Sequence, residues 1–150
     1  MAEIFPTEGL DLIMGIVPKG GATVATTYIA LWGTTFTAST VGTAANARAS
    51  YTEPSGGAYA RQSIAAATWG AQANGTSGSS DQPGRLTTAT QITMPTATAP
   101  WGTLNGFYLV NSSTAAAGSL YYACNFDDVT AIAVNTNDIV KITPGWELRN

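Results

Sequence analysis

An all-β fold, an antiparallel β-sandwich of jelly-roll-like type with one short N-terminal helix, is the architecture this 150-residue sequence predicts, from three observations. Segments rich in aromatic and β-branched residues recur at short intervals. Clusters of turn-forming residues separate them. No sustained helical period and no alternating strand–helix rhythm is present, nor a fixed repeat that would mark a solenoid. The length suits a single domain over residues 1–150, and a compact fold of this size removes roughly 68 to 70% of the unfolded chain's surface from water.

The elements follow in order. Residues 1–20 are expected to hold the helix, in FPTEGLDLIMGIVPKGG: Thr7 caps it, Glu8 and Asp11 lie near its positive end, and Pro18, Gly20 and Gly21 stop it. Leu10, Ile13, Met14 and Val17 share one face, which suits a docking arm or, the expectation adopted, a helix plugging the end of the sheet core. Strands come next. TTYIALW, Thr26 to Trp32, alternates so that Ile29 and Leu31 oppose Tyr28 and Trp32, and YARQSIAAATW, Tyr59 to Trp69, reads as a second strand. RLTTATQITM, TLNGFYLV, SLYYACNF, VTAIAV and DIVKIT bring the total to about eight. PSGG, NGTSGSSDQPG, NSSTAAAG and NTND supply the turns. Two stretches of small residues, Thr34 to Ser50 and Gly70 to Gly84, are expected to be long loops.

Charge is the unusual property. Asp, Glu, Lys and Arg make up 10% of the chain, against roughly 25% in an ordinary soluble domain. Between Arg85 and Asp127 nothing ionises except tyrosines and one thiol. A surface this neutral is expected to be covered by other chains, because unpaired charge is costly to bury and small neutral residues are not. Lys19, Arg48, Arg61, Arg85, Lys141 and Arg149 are scattered and the net charge is -3, so no basic face is concentrated for nucleic acid. Glu3, Glu8 and Asp11 precede the first apolar run where a secretory signal would carry Lys or Arg, and LIMGIV is too short to cross a bilayer. A soluble protein assembled in a cytoplasm, without a membrane partner, is the expectation.

Histidine is absent, which removes the commonest general base, the usual serine triad and most zinc sites. Asp127 and Asp128 would point to opposite faces if they continue a strand, and Asp138 sits among turn residues; solvated turn aspartates are expected rather than a cation site. Cys124 stands alone among alternating apolar neighbours, so it reads as a packed thiol. The glycine-rich pieces lack the spacing of a phosphate cradle. Neither an enzyme nor a cofactor is expected. Trp32, Trp69, Trp101 and Trp146 with Tyr28, Tyr59, Tyr108 and Tyr121 suit a sandwich core more than a stacking platform for sugars or bases. Arg61 is the informative residue: an arginine in so charge-poor a strand needs a fixed acceptor, a carbonyl or carboxylate of the same fold or a neighbouring subunit. In MPTATAPWG, Pro95 and Pro100 bracket a stretch that cannot donate a full ladder, so Thr96 to Ala99 should run extended as an edge or crossover, pinned by Trp101 and released at Gly102.

YARQSIAAATWG, Tyr59 to Gly70, and MPTATAPWGTLNGFYL, Met94 to Leu109, together resemble the paired signatures of a family of small tailed-bacteriophage virion proteins. There a YARQ-like strand precedes an FPTAT-x-WGT-V segment; AEIFPTEGLDLIMGI also resembles the N-terminal helix of such proteins. Members are described as head decoration or cement proteins and as tail-fibre-like proteins. The resemblance implies a virion protein on the capsid surface, a homotrimer bridging the major capsid protein, with a host-recognising tail module as the alternative. Arg61, Tyr59, Trp69, Trp101, Tyr108 and Phe5 are the candidate interface or structural residues. The chain departs from the pattern at Met94, where the family often has Phe, and in longer loops before Tyr51 and after Trp69.

Overall fold

A computed structural model of the chain describes residues 3–4, 26–33, 51–71, 73–79, 82–126 and 131–148. The expected helix, Phe5, the Thr34 to Ser50 loop and the Asp127–Asp128 pair lie outside the described residues. Those described form an antiparallel all-β fold, as the sequence predicts. Its strands are β1 (Glu3–Ile4), β2 (Thr27–Trp32), β3 (Gln62–Ile64), β4 (Ala73–Ser79), β5 (Gln82–Thr88), β6 (Ile92–Thr93), β7 (Gly102–Leu104), β8 (Gly106–Val110), β9 (Leu120–Asn125), β10 (Ile132–Val134), β11 (Lys141–Ile142) and β12 (Gly145–Leu148).

Five of these make one sheet in the order β1-β9-β8-β2-β3. The strands β2, β8 and β9 are its centre because their aromatic and branched residues can be buried on both sides. Ile29, Leu31, Phe107, Leu109, Tyr122 and Cys124 join the larger core cluster, whereas Ala30, Trp32, Tyr108, Val110, Leu120 and Ala123 join a second one. Alternation is kept through an irregularity. Leu109 faces Tyr122 and Val110 faces Leu120, so Tyr121 is the extra residue that puts Leu120 and Ala123 on the same side.

The remaining pairings are rungs of one long antiparallel ribbon. Going from its end inward, Leu148 to Gly145 pair with Arg85 to Thr88, Ile142 and Lys141 with Ile92 and Thr93, and Val134 to Ile132 with Gly102 to Leu104. Single backbone bonds fill the gaps: Ala89 N–H to Pro144 O (2.9 Å), Met94 N–H to Val140 O (2.9 Å), Ala97 N–H to Asp138 O (3.0 Å) and Trp101 N–H to Val134 O (3.0 Å). Pro95 and Pro100, having no N–H to give, interrupt the ladder between β6 and β7, and Pro144 does so between β11 and β12. Ala97 pairs with Asn137 and Asp138 as an edge would, but the chain bends at Thr98 and Ala99, where the Thr98 N–H turns to Gly57 O, so the extended run expected to Ala99 stops short; Met94, Ala97, Leu104, Val134, Val140 and Ile142 turn inward onto the larger core face of the sheet.

Two further expectations are corrected. Gly70 to Gly84 is not one long loop, since Ala73–Ser79 and Gln82–Thr88 pair as a hairpin with an irregularity between Asn74 and Gly78. ANGTSGS has no large apolar residue to alternate, so backbone pairing alone defines that strand. Tyr59 to Trp69 is not one strand either. Pairing with β2 lasts for Gln62–Ile64, the alanine run gives no branched side chains to a pleated surface, and Ala66–Thr68 winds into a 3-10 turn. Trp69 keeps one bridge, to Ala89.

Candidate functional site

The ordered polar centre of the molecule grows from the turn after Pro54. Gly56, Gly57 and Ala58 lie in the left-handed region at φ 84°, 58° and 61°, two glycines and an alanine that bears the steric cost of that conformation. This reversal lays Glu53 against Arg61, eight residues on. Thr52 O accepts the Gly33 N–H (3.0 Å), fixing the carboxylate's backbone to the end of β2. From the other side, Gly57 O accepts both the Trp101 indole N–H (2.8 Å) and the Thr98 N–H (3.0 Å), so the proline-bracketed ribbon holds the turn down.

Tyr59 and Arg61 are two apart in extended chain and therefore point the same way. The Arg61 guanidinium lies under Tyr108, 5.6 Å from the ring centre. All five of its N–H groups are used: Nε to Glu53 Oε2 (3.0 Å), Nη2 to Glu53 Oε1 (2.6 Å) and the Tyr108 hydroxyl (3.0 Å), and Nη1 to Ser112 O (2.7 Å) and Ala117 O (2.9 Å). The acceptor required by the sequence is found within the same fold. The pair's side chains are 1% and 6% exposed, and a buried ion pair is tolerable when each donor is met in this way.

Glu53 also accepts the Tyr59 hydroxyl (3.1 Å) and the Ala116 N–H (3.1 Å). Burial alone would raise its carboxyl, but hydrogen bonds from Arg61, Tyr108 and Ala116 and the guanidinium charge hold it below the usual carboxylate range. The same partnership raises Arg61 further against the opposing effect of burial. Burial foremost, then the Glu53 charge, pushes Tyr59 above its ordinary value. The Tyr59 hydroxyl accepts the Leu31 N–H (2.9 Å), the next amide on that edge of β2 after β3 has ended. A side chain thus replaces a missing strand.

These bonds converge on the loop between β8 and β9, residues 111–119. Asn111 Oδ1 accepts the Ser119 N–H (2.8 Å), Thr114 O accepts the Ala117 N–H (3.2 Å), and Ala116 sits at φ 60°. The loop's tip is exposed and uncharged. Among the described side chains, the only ionised groups besides the Glu53–Arg61 pair are Asp138 and Lys141, both exposed.

A family model, Podophage GP4 fiber I protein gp80, matches residues 18–146. The chain belongs to that family. Comparison with curated proteins finds no match. Membership places this gp80-family chain among phage structural, tail-fibre-like proteins associated with the virion.

Of the candidate residues in the gp80-family chain, Arg61 and Tyr108 meet directly and Tyr59 joins them through Glu53. Trp101 joins through Tyr59, ring centres 5.4 Å apart and edge to face. Trp69 stays apart, half-buried on the margin of the larger core. Phe5 lies outside the described residues. Glu53 was not anticipated, although it is the acid nearest Arg61 in sequence, across an evident PSGG turn. Cys124 is fully buried, and Asp138 Oδ2 caps its turn by accepting the Asn135 N–H (2.7 Å). A shallow depression of about 260 Å³ beside the pair is lined by Gly33, Thr52, Glu53, Pro54, Trp101 and Leu104. Among the described residues no group of His, Cys, Asp or Glu is arranged to hold a metal ion, and no helix is long and apolar enough to cross a membrane.

Proposed function

We propose that this chain is a non-enzymatic structural subunit of a phage virion that works as a homo-oligomer, a trimer, in a fibre-like appendage. One observation carries the reading: the buried Glu53–Arg61 pair is directed at an exposed, uncharged loop, in a chain with only 10% charged residues, which lowers the cost of burying that loop against neighbours. The family's fibre description supports an appendage position. Glu53 itself is engaged by donors and held ionised, a structural carboxylate and not a poised acid or base.

Capsid cement is the second reading, favoured by the same neutral surface. A symmetric trimer seated on several copies of the major capsid protein would gain residence time from its valency, without nucleic acid or membrane taking part. Antibody-labelled electron microscopy of intact particles separates the two. Label at the tail is expected; label over the head lattice, with earlier bursting on heating of particles that lack the protein, would replace the fibre reading with cement.

A further inference from the structure

We infer that the loop between β8 and β9 is closed by an acid-sensitive latch: one proton taken up by Glu53 frees residues 111–119 from the Arg61 guanidinium while β8 and β9 stay paired. The latch goes beyond the structural role proposed above and works whatever neighbours the chain has.

The loop's attachments come first. Residues 111–119, NSSTAAAGS, contain no large apolar side chain, and none of them joins either core cluster. Their internal bonds, Thr114 N–H to Ser112 Oγ, Ala117 N–H to Thr114 O and Ser119 N–H to Asn111 Oδ1, do not leave the loop. Among the described residues, the middle of the loop is tied to the body of the fold through the ion pair: Ser112 O and Ala117 O accept from Arg61 Nη1, and the Ala116 N–H donates to Glu53 Oε1. Ala116, a non-glycine residue at φ 60°, keeps its costly conformation while those bonds hold it.

Protonation acts on the other member of the pair. A neutral Glu53 no longer balances Arg61, whose side chain is 1% exposed and stays charged at any acid pH. An unpaired charge so deeply buried has to reach water. Of the walls around it, Tyr108 is fully buried on a central strand and Tyr59 is packed edge to face on Trp101. The loop alone has no core packing to lose, so it is the wall that opens.

Nothing else among the described residues at this place changes charge in acid. Arg61 and Tyr59 face Glu53 from the segment after the turn, and Tyr108 faces it from β8. The end of β2 and the ribbon bring Gly33, Trp101 and Leu104, and the loop brings backbone groups. Tyrosines are neutral throughout this range. Because its donors hold the Glu53 carboxyl low, release falls on the acid side of the ordinary carboxylate range.

The test follows the full chain by NMR, with amide hydrogen exchange corrected for its intrinsic pH dependence, from about pH 7 to about pH 3. Parent, Glu53→Gln and Asp138→Asn are compared; Asp138 caps a distant turn. In the parent, the Ala116 and Ala117 amides and the Arg61 Nε–H should lose protection at least about tenfold with the slope of one proton, while Phe107 to Val110 remain protected. Glu53→Gln should show the released loop already at about pH 7 and no further acid step, and Asp138→Asn should keep the parent's profile. Where Glu53→Gln fails to fold, the parent's pH series decides alone. Loop and β8 amides losing protection together would overturn the latch, since acid then unfolds the whole chain. So would a loop that stays protected until that unfolding, or an acid step that vanishes in Asp138→Asn.

Discussion

Arg61 and Glu53 have more neighbours than any surface pair could satisfy, and removing either leaves the other charged and buried. Arg61→Ala should therefore lower stability by about 3 to 5 kcal/mol, measured as a shift in the urea midpoint. Arg61→Lys should not rescue it, because an ammonium cannot reach two carboxylate oxygens, two carbonyls and a hydroxyl with a planar fork. Acid should act through the same pair. Glu53 is held below the unfolded value of about 4.3, so its contribution is complete above that pH and disappears as pH falls through the folded value. Stability against urea should decline below about pH 4 in the parent, with a shallower decline in Glu53→Gln. Tyr51 titrates at the other extreme: burial first, with the Cys124 charge, pushes it to about 12. Its contribution is present below pH about 10 and is lost as pH rises towards 12. The arginine's need for an acceptor was legible in sequence, because a guanidinium in a charge-poor strand must bond something. Its partners were not: the carboxylate arrives through three consecutive left-handed residues, and the Ser112 and Ala117 carbonyls have no side-chain signature at all.

Among the elements, those read correctly from sequence are the ones whose side chains alternate between two cores. TYIALW and GFYLV fall within the strands expected for them, and LYYACN follows once Tyr121 is allowed to slip out of phase. The hairpin of β4 and β5 was missed for the opposite reason, as Gly, Ser, Thr and Asn mark turns and say nothing of backbone pairing. YARQSIAAATW broke where alanines replaced branched residues, so its composition was visible and its length was not. The proline-bracketed ribbon makes a prediction of its own. Gly57 lies at φ 58°, and a Cβ there would come within 2.6 Å of Ala99 O and 2.9 Å of the Trp101 indole nitrogen. Gly57→Ala should cost about 2 to 4 kcal/mol from left-handed strain and crowding together. Hydrogen exchange at Thr98, whose amide bonds Gly57 O, should rise with it; an unchanged rate would mean the ribbon holds without the turn.

For the molecule as a whole, scarcity of charge is a property of the sequence, at 10% Asp, Glu, Lys and Arg, with Asp138 and Lys141 the exposed ones among the described side chains, and it has a measurable correlate. Assembly should change little between about 0.01 and about 1 M salt, over which the screening length falls from about 30 to about 3 Å; dissociation in concentrated salt would show that ion pairs hold the subunits together. The ribbon's pairings, finally, are nested one inside another around β8 and β9. Zipping the inner hairpin brings Gly102 and Val134 together, which shortens the path to the next rung, and so outward to Arg85 and Leu148. Each closure lowers the entropy lost in the one after it. Such a chain has an intrinsic order of assembly from the middle to the rim. The rim strand β12 is then the last to form and the first to let go, so damage there should hasten unfolding while leaving the rate of folding almost untouched.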